Sequence, residues 1–165
     1  VSRGFVKEDD QEEPPFVPPR ASLPSGVDNY VTSEGLAQLK LEREELIKSR
    51  KETRTLSERD RRRENTVIDV KISQLDERID SAQLIAPHEN PTEVRFGVQV
   101  SFESLSPKGP PRKFKVVGVD EANIRALKVA FTAPIVQAMM GKRVGETFVF
   151  EQAGKPMQFE VIQIE

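Results

Sequence analysis

Cysteine and tryptophan are absent from these 165 residues, and there is one tyrosine and one histidine. Without thiols there can be no disulfides and no thiolate metal sites, and such a chain suits a reducing cytoplasm. The single histidine, His88, lies between Pro87 and Pro91, a place for an incidental or structural residue rather than a catalytic base. No serine or threonine therefore has a histidine partner for nucleophilic chemistry, and no glycine-rich phosphate loop is present. Apolar runs stop well short of the ~20 residues of a membrane span. The acidic, proline-rich first stretch lacks the pattern of a secretory signal. These absences predict a soluble cytoplasmic protein with no membrane partner and no enzymatic activity of its own.

What is present is charge. Charged residues make up 32% and apolar residues 36% of the chain, and the formal net charge is −2. That is lean for a compact core but ordinary for a pair of long helices beside a small sheet. The charge is uneven: residues 1–30 carry 3 basic and 6 acidic side chains, whereas residues 48–66 carry 8 basic and 4 acidic ones. A near-neutral total with one basic stretch argues for a specific site rather than general adhesion to nucleic acid.

Periodicity divides the chain into segments. Residues 1–30 contain Pro14, Pro15, Pro18, Pro19 and Pro24 and the acids Glu8, Asp9, Asp10, Glu12 and Glu13. They are expected to form a disordered or polyproline-like tail, in which Phe5, Phe16 and Val17 could dock elsewhere. Residues 31–86 are expected to form an antiparallel helical hairpin. Thr32 is a plausible N-cap, with Glu34 in the positive first turn, and Leu36, Leu39, Leu46 and Ile47 follow at helical spacing. In the second arm Ile68, Ile72, Leu75, Ile79 and Ala82 alternate steps of four and three, the seam of a two-helix coil. Arg43 and Arg50 fall at seam positions, where their alkyl stems can cover apolar surface while the guanidinium groups reach water. The turn is placed near Thr55 to Asp60, which gives an arm from Ser33 to Arg54 of roughly 30 Å at about 1.5 Å per residue. Pro87 and Pro91 close the second helix and begin a linker over residues 87–93.

From Val94 the period becomes two. Val94, Phe96, Val98, Val100 and Phe102 alternate with polar residues or glycine, the pattern of a half-buried strand. A loop containing Pro107, Gly109, Pro110 and Pro111 leads to a returning strand over Lys113 to Val119. Leu127, Val129 and Phe131 predict a third strand. Pro134 and Gly141 bracket a short helix that buries Ile135, Ala138 and Met139. Two further strands, Thr147 to Glu151 and Met157 to Ile164, flank a turn at Gly154-Lys155-Pro156. Residues 94–165 are thus expected to be a mostly antiparallel sheet wrapped on one helix, and the fold class is α+β.

Four strings, in this order, resemble the Gre family of bacterial transcript-cleavage and transcription elongation factors. They are Ser-Ala-Gln-Leu-Ile (81–85), Val-Arg-Phe-Gly-Val-Gln-Val (94–100), Val-Val-Gly-Val-Asp-Glu-Ala (116–122) and Thr-Ala-Pro-Ile-Val-Gln-Ala-Met-Met-Gly-Lys-Arg-Val-Gly-Glu (132–146). The resemblance, to a short-coil, GreB-like variant, runs from about Thr32 to Ile164 and omits the tail. It implies an FKBP-like C-terminal domain that docks on the rim of the RNA polymerase secondary channel, and a coiled coil that enters the channel. The partner is then bacterial RNA polymerase, with the RNA and DNA of the elongation complex within reach of the coil, and the factor acts as a monomer. In the family, acidic residues at the tip help hold a catalytic Mg²⁺ shared with the polymerase. Carboxylates are hard oxygen ligands suited to that ion, and a two-metal site activates the attacking water.

This chain departs from the pattern in three places. Family tips carry Asp-Leu-x-Glu, whereas here the string is Thr55-Leu56-Ser57-Glu58: Glu58 matches the second acid and Thr55 replaces the first. Asp60 and Glu64, four residues apart, form another candidate carboxylate pair, set among Arg59, Arg61, Arg62 and Arg63. Those arginines would pair with the acids or contact phosphate. The arms are also shorter than the family's, which removes on the order of 10 Å of reach at about 1.5 Å per residue. Gre relatives such as the regulator of nucleoside diphosphate kinase are similarly short and lack the acidic tip. At the docking face, where the family has an acidic or amide residue and then Ser-Pro, this chain has Thr132, Ala133 and Pro134. The reading is a polymerase-binding elongation regulator with weak or absent cleavage stimulation, no cofactor of its own and no intrinsic metal.

Two other functions compete with it. A coiled-coil nucleic-acid binder would use the arginine tip, but with no aromatic residues for base stacking its binding would be electrostatic and steeply salt-dependent. A prolyl isomerase on the FKBP-like domain would need an aromatic-lined pocket. The phenylalanines at 96, 102, 114, 148, 150 and 159 mostly fall on strand alternation, which assigns them to the core.

Overall fold

The computed structural model describes residues 13–165. Helix α1 spans Ser33–Glu52, and the Thr32 Oγ1 caps it by accepting from the Gly35 N–H at 2.9 Å. Glu34 lies in the first turn and Arg50 and Lys51 in the last, each sign where the helix dipole favours it. A 3₁₀ turn over Thr53–Thr55 reverses the chain, and helix α2 spans Glu58–Asp80. Ser57 caps α2, accepting from the Asp60 N–H at 3.2 Å. The reversal therefore ends at Ser57, and Asp60, expected in the turn, lies inside the helix, because the Ser57 cap starts it earlier.

Cross-helix contacts fix an antiparallel register. Arg43 meets Asp76 and Arg50 meets Asp69, each at 2.5 Å, and the Thr53 hydroxyl donates to Asn65 Oδ1 at 2.9 Å. The two guanidinium groups thus pair with aspartates of the facing helix while staying partly exposed to water. Leu39, Ile68 and Leu75 are buried along the seam, Leu75 completely. Ala82, expected as the last seam position, lies beyond the helix, which stops at Asp80 with Ser81 as its C-cap.

The chain then forms strand β2, Ala82–Leu84, paired in parallel with strand β1, Asn29–Val31. The tail expected through residue 30 therefore ends in structure. Asn29 is buried, and its Nδ2 donates to the Arg78 carbonyl at 3.0 Å and the Ser81 hydroxyl at 3.1 Å. The physical reason is non-local: the backbone of residues 29–31 finds partners about fifty positions away, which local composition cannot reveal. Phe5 and the acids Glu8, Asp9, Asp10 and Glu12 lie outside the described residues.

The C-terminal sheet has strands β3 (Gln99–Ser104), β4 (Arg112–Val117), β5 (Lys128–Ala130), β6 (Thr147–Gln152) and β7 (Lys155–Ile164), in the order β5-β4-β3-β7-β6. All pairs are antiparallel except β4–β5, which is parallel. Helix α3, Pro134–Met139, buries Val136 and Met139. Val94, Phe96, Val98, Val100 and Phe102 are all buried as the alternation predicts, but Gly97 at φ 87° breaks the run and β3 begins only at Gln99. The β6–β7 reversal uses Ala153 and Gly154, both at positive φ, so Lys155 and Pro156 belong to the strand. Phe102 contacts Phe114, Phe148 and Phe159 with ring centroids 5.4 to 5.8 Å apart. Phe150 is only half-buried.

Candidate functional site

Three places carry chemistry: the junction between the hairpin and the sheet, the hairpin tip, and the start of α3. The junction is built on the Val-Val-Gly-Val-Asp-Glu-Ala string. The Glu121 carboxylate, almost wholly buried, accepts the Thr32 hydroxyl at 2.5 Å and Lys128 Nζ at 2.9 Å. It rests against the start of α1, where Gly35 has no Cβ; one built there would stand 2.6 Å from Glu121 Oε2. Gly118 makes similar room, since a Cβ there would lie 2.6 Å from the Tyr30 carbonyl oxygen. Lys128 also reaches Glu34 at 3.3 Å, with Lys115 at 3.7 Å from the same carboxylate. Lys128, then Lys115, holds the Glu34 carboxyl below its usual range, and Glu121 foremost holds Lys128 above its own against a smaller opposing effect of burial. Sequence reasoning identified the string as a signature but missed its role. The available signal was two adjacent acids directly after an apolar strand.

At the tip, the Thr55 hydroxyl donates to the Glu52 carbonyl at 3.1 Å, and Leu56 is exposed. Ser57 Oγ and Asp60 Oδ2 are 2.6 Å apart, so Asp60 turns back onto the cap. Glu58 stands in the first turn of α2, and Glu64 is exposed one turn beyond Asp60. Among the described residues, no ion pair joins Arg61, Arg62 or Arg63 to Asp60 or Glu64. The Asp60 carboxylate is engaged at the cap instead. Among the described residues no three metal-ligating side chains converge.

The arginines are deployed differently from one another. Arg62 and Arg63 are exposed on α2, and the Arg62 carbonyl accepts the Thr66 hydroxyl at 2.9 Å. Arg61 instead lines a groove of about 430 Å³ between the helices, together with Ile47, Arg50, Lys51, Thr53, Arg54 and Asn65. The sequence reading missed Lys51 and Arg54 here because they lie on the other arm, and only the register of the hairpin brings them to Arg61. Arg50 is neutralised by Asp69, whose carboxyl it holds below the usual range.

At the sheet domain, Thr132 and Ala133 are half-buried and Pro134 is exposed at the first position of α3. Ala133 occupies the N-cap position and offers no side-chain hydrogen bond to the helix.

A family model described as "Transcription elongation factor, GreA/GreB, C-term" matches residues 87–165. The transcription elongation factor GreA of Thermodesulfovibrio yellowstonii is 31% identical over 134 residues, 76% of this chain and 84% of that protein. The chain belongs to the GreA/GreB family. A second family member, the transcription elongation factor GreA of Thermotoga neapolitana, is 26% identical over 81% of this chain and 95% of its own length. The crystal structure of GreA factor homolog 1 of Thermus thermophilus is 20% identical, with 84% of this chain and 99% of that one covered and a TM-score of 0.39. The matched residues 87–165 include the α3 face of this Gre-family chain and leave its hairpin tip outside.

Proposed function

We propose that this Gre-family chain regulates transcription elongation in the cytoplasm by binding bacterial RNA polymerase as a monomer. Its C-terminal sheet, read as an FKBP-like domain, docks on the rim of the secondary channel through the Thr132, Ala133 and Pro134 face. The helical hairpin, read as a coiled coil, enters the channel. Cleavage of transcripts by the polymerase is stimulated weakly or not at all.

The observation that carries this reading is the chemistry of the tip. A magnesium ligand must approach to about 2.1 Å and is best supplied by carboxylates. Thr55 offers a neutral hydroxyl already donated to the Glu52 carbonyl, and Asp60 is turned to Ser57, so of the Thr55-Leu56-Ser57-Glu58 string only Glu58 supplies a carboxylate. Helix α1, with 20 residues, is about 30 Å long. A ligand set reduced in number and reach cannot complete a shared metal site.

The test compares transcript cleavage in stalled elongation complexes with wild type, Thr55→Asp, and Thr55→Asp in a hairpin lengthened by two heptads. Little cleavage is expected from the first two and a gain from the third. Robust cleavage by wild type that is lost in Glu58→Ala would sink the proposal.

The groove favours a second role for the same tip. Lys51, Arg54 and Arg61 converge there from both helices, an arrangement suited to phosphate oxygens of nucleic acid. Replacing Arg61, Arg62 and Arg63 with glutamine should weaken binding to the elongation complex and flatten its salt dependence. Unchanged affinity and salt slope would remove the arginines from the mechanism. The isomerase reading finds no support, because the phenylalanine rings that would line a pocket pack on one another in the core.

A further inference from the structure

Residues 18–30 cross from the hairpin to the sheet domain, and their contacts meet at one guanidinium. Arg20 holds Glu42 of α1 with two hydrogen bonds, Nη1 at 2.8 Å and Nη2 at 3.0 Å, while its Nε donates to Asp120 Oδ1 at 2.8 Å. Asp120 follows β4, and its side chain is only 7% exposed. Arg78 of α2 approaches the other oxygen, Nε standing 3.5 Å from Oδ2 as an ion pair without hydrogen-bond alignment. Arg78 also donates to the Ala21 carbonyl, and Gln74 Nε2 donates to the Pro18 carbonyl at 3.4 Å. Leu23, Val27 and Tyr30 pack against the core of the sheet domain. One knot therefore joins the N-terminal segment, both helices and the sheet.

We propose that residues 18–30 are a positioning strap, in which Arg20, by tying Glu42 of the hairpin to Asp120 of the sheet domain, sets the angle at which the hairpin stands on that domain. The geometry suits this role. A planar guanidinium with donors on two edges can hold two carboxylates at fixed directions, as the point charge of a lysine cannot. Asp120 is enclosed, so its bonds are shielded from water and salt, whereas Glu42 is about half exposed and is the arm that can release. The strap's consequence for the polymerase rests on the reading above, in which the sheet docks and the hairpin must point into a channel. The strap itself does not depend on that reading.

The absence of cysteine allows a direct test on the full chain. Ser49→Cys on the hairpin and Val149→Cys on the sheet, both exposed, carry a pair of spin labels, and pulsed dipolar spectroscopy reads the distance distribution between them. Wild type should give one narrow distribution. Arg20→Gln should shift and widen it, raising the displaced population on the order of tenfold, as expected for the loss of charge-assisted hydrogen bonds. Arg20→Lys should fall between the two. Glu42→Gln cuts only the exposed arm and guards against a variant that fails to fold, and it should widen the distribution in the same sense. An unchanged distribution in folded Arg20→Gln and Glu42→Gln proteins would overturn the strap. A widened distribution with unchanged polymerase affinity and activity would uphold the strap and count against channel insertion.

Discussion

A methyl group on Gly118 would stand 2.6 Å from the Tyr30 carbonyl oxygen, a backbone atom that moves only if β1 moves. Gly118→Ala should therefore cost about 1–3 kcal/mol, as overpacking does, measured by urea denaturation. Ala133 poses the opposite case, a missing group. A serine there could accept from the first-turn N–H groups of α3, so Ala133→Ser should stabilise the protein by about 0.5–2 kcal/mol. If this face docks on the polymerase, the same change should also tighten binding. Titration follows from Glu34 and Lys128. The Glu34 carboxyl is lowered by Lys128 and then Lys115, so its contribution is present above its unfolded pKa and is lost as pH falls through the folded one. Lys128 is raised chiefly by Glu121, so its contribution is complete below its unfolded pKa and is lost as pH rises through the folded one. Thermal melts should accordingly be flat from about pH 5 to about pH 9 and decline on both sides. The alkaline decline should be smaller in Lys128→Gln.

At the scale of elements, the hairpin has little apolar seam and many surface charges. Leu75 is fully buried at its base and Ile68 nearly so, whereas beyond Ile68 the seam toward the tip is polar, with Thr53 bonded to Asn65. The Arg50–Asp69 pair is about half exposed on both sides, and such pairs add little. Apolar burial therefore holds the helices together near the sheet, and the tip is the weaker end. Leu75→Ala should cost about 2–5 kcal/mol. In wild type, hydrogen exchange should be faster at residues 53–61 than around Leu75, because local opening follows the density of buried contacts.

For the whole molecule, the sheet domain closes its core from its own residues: of the fourteen buried core positions from Val94 to Val161, nine lie in β3, β4, β6, β7 and α3, and the other five, Val94, Phe96, Val98, Val119 and Phe131, lie in the segments that join or precede these elements. A fragment spanning residues 87–165 should fold and retain most of the affinity for polymerase, with binding followed by biolayer interferometry. Full binding by the isolated hairpin with none by this fragment would reverse the assignment of roles. Leu23, Val27, Tyr30 and Ile85 lean on that core from outside, so the fragment should be less stable than the intact chain.

The hairpin helices and the main strands were legible in the sequence because each is written in a local period, whereas β1 and β2 were not. Steps of four and three marked the second helix, alternation marked Val94 to Phe102, and Pro134 marked the start of α3. Thr55 in place of an acid was equally visible, because it needs only the order of residues. What the order of residues could not supply was pairing at a distance. The parallel partnership of Asn29–Val31 with Ala82–Leu84, the seating of Glu121 on Thr32, the groove shared by Lys51 and Arg61, and the grip of Arg20 on Asp120 each join positions 10 to 100 residues apart. Such contacts are selected by the closing of the whole fold, where a buried carboxylate or backbone group must find a partner wherever the packing brings one. Local periodicity decided which segments are helix and strand, and tertiary packing alone decided how the hairpin is held on the sheet.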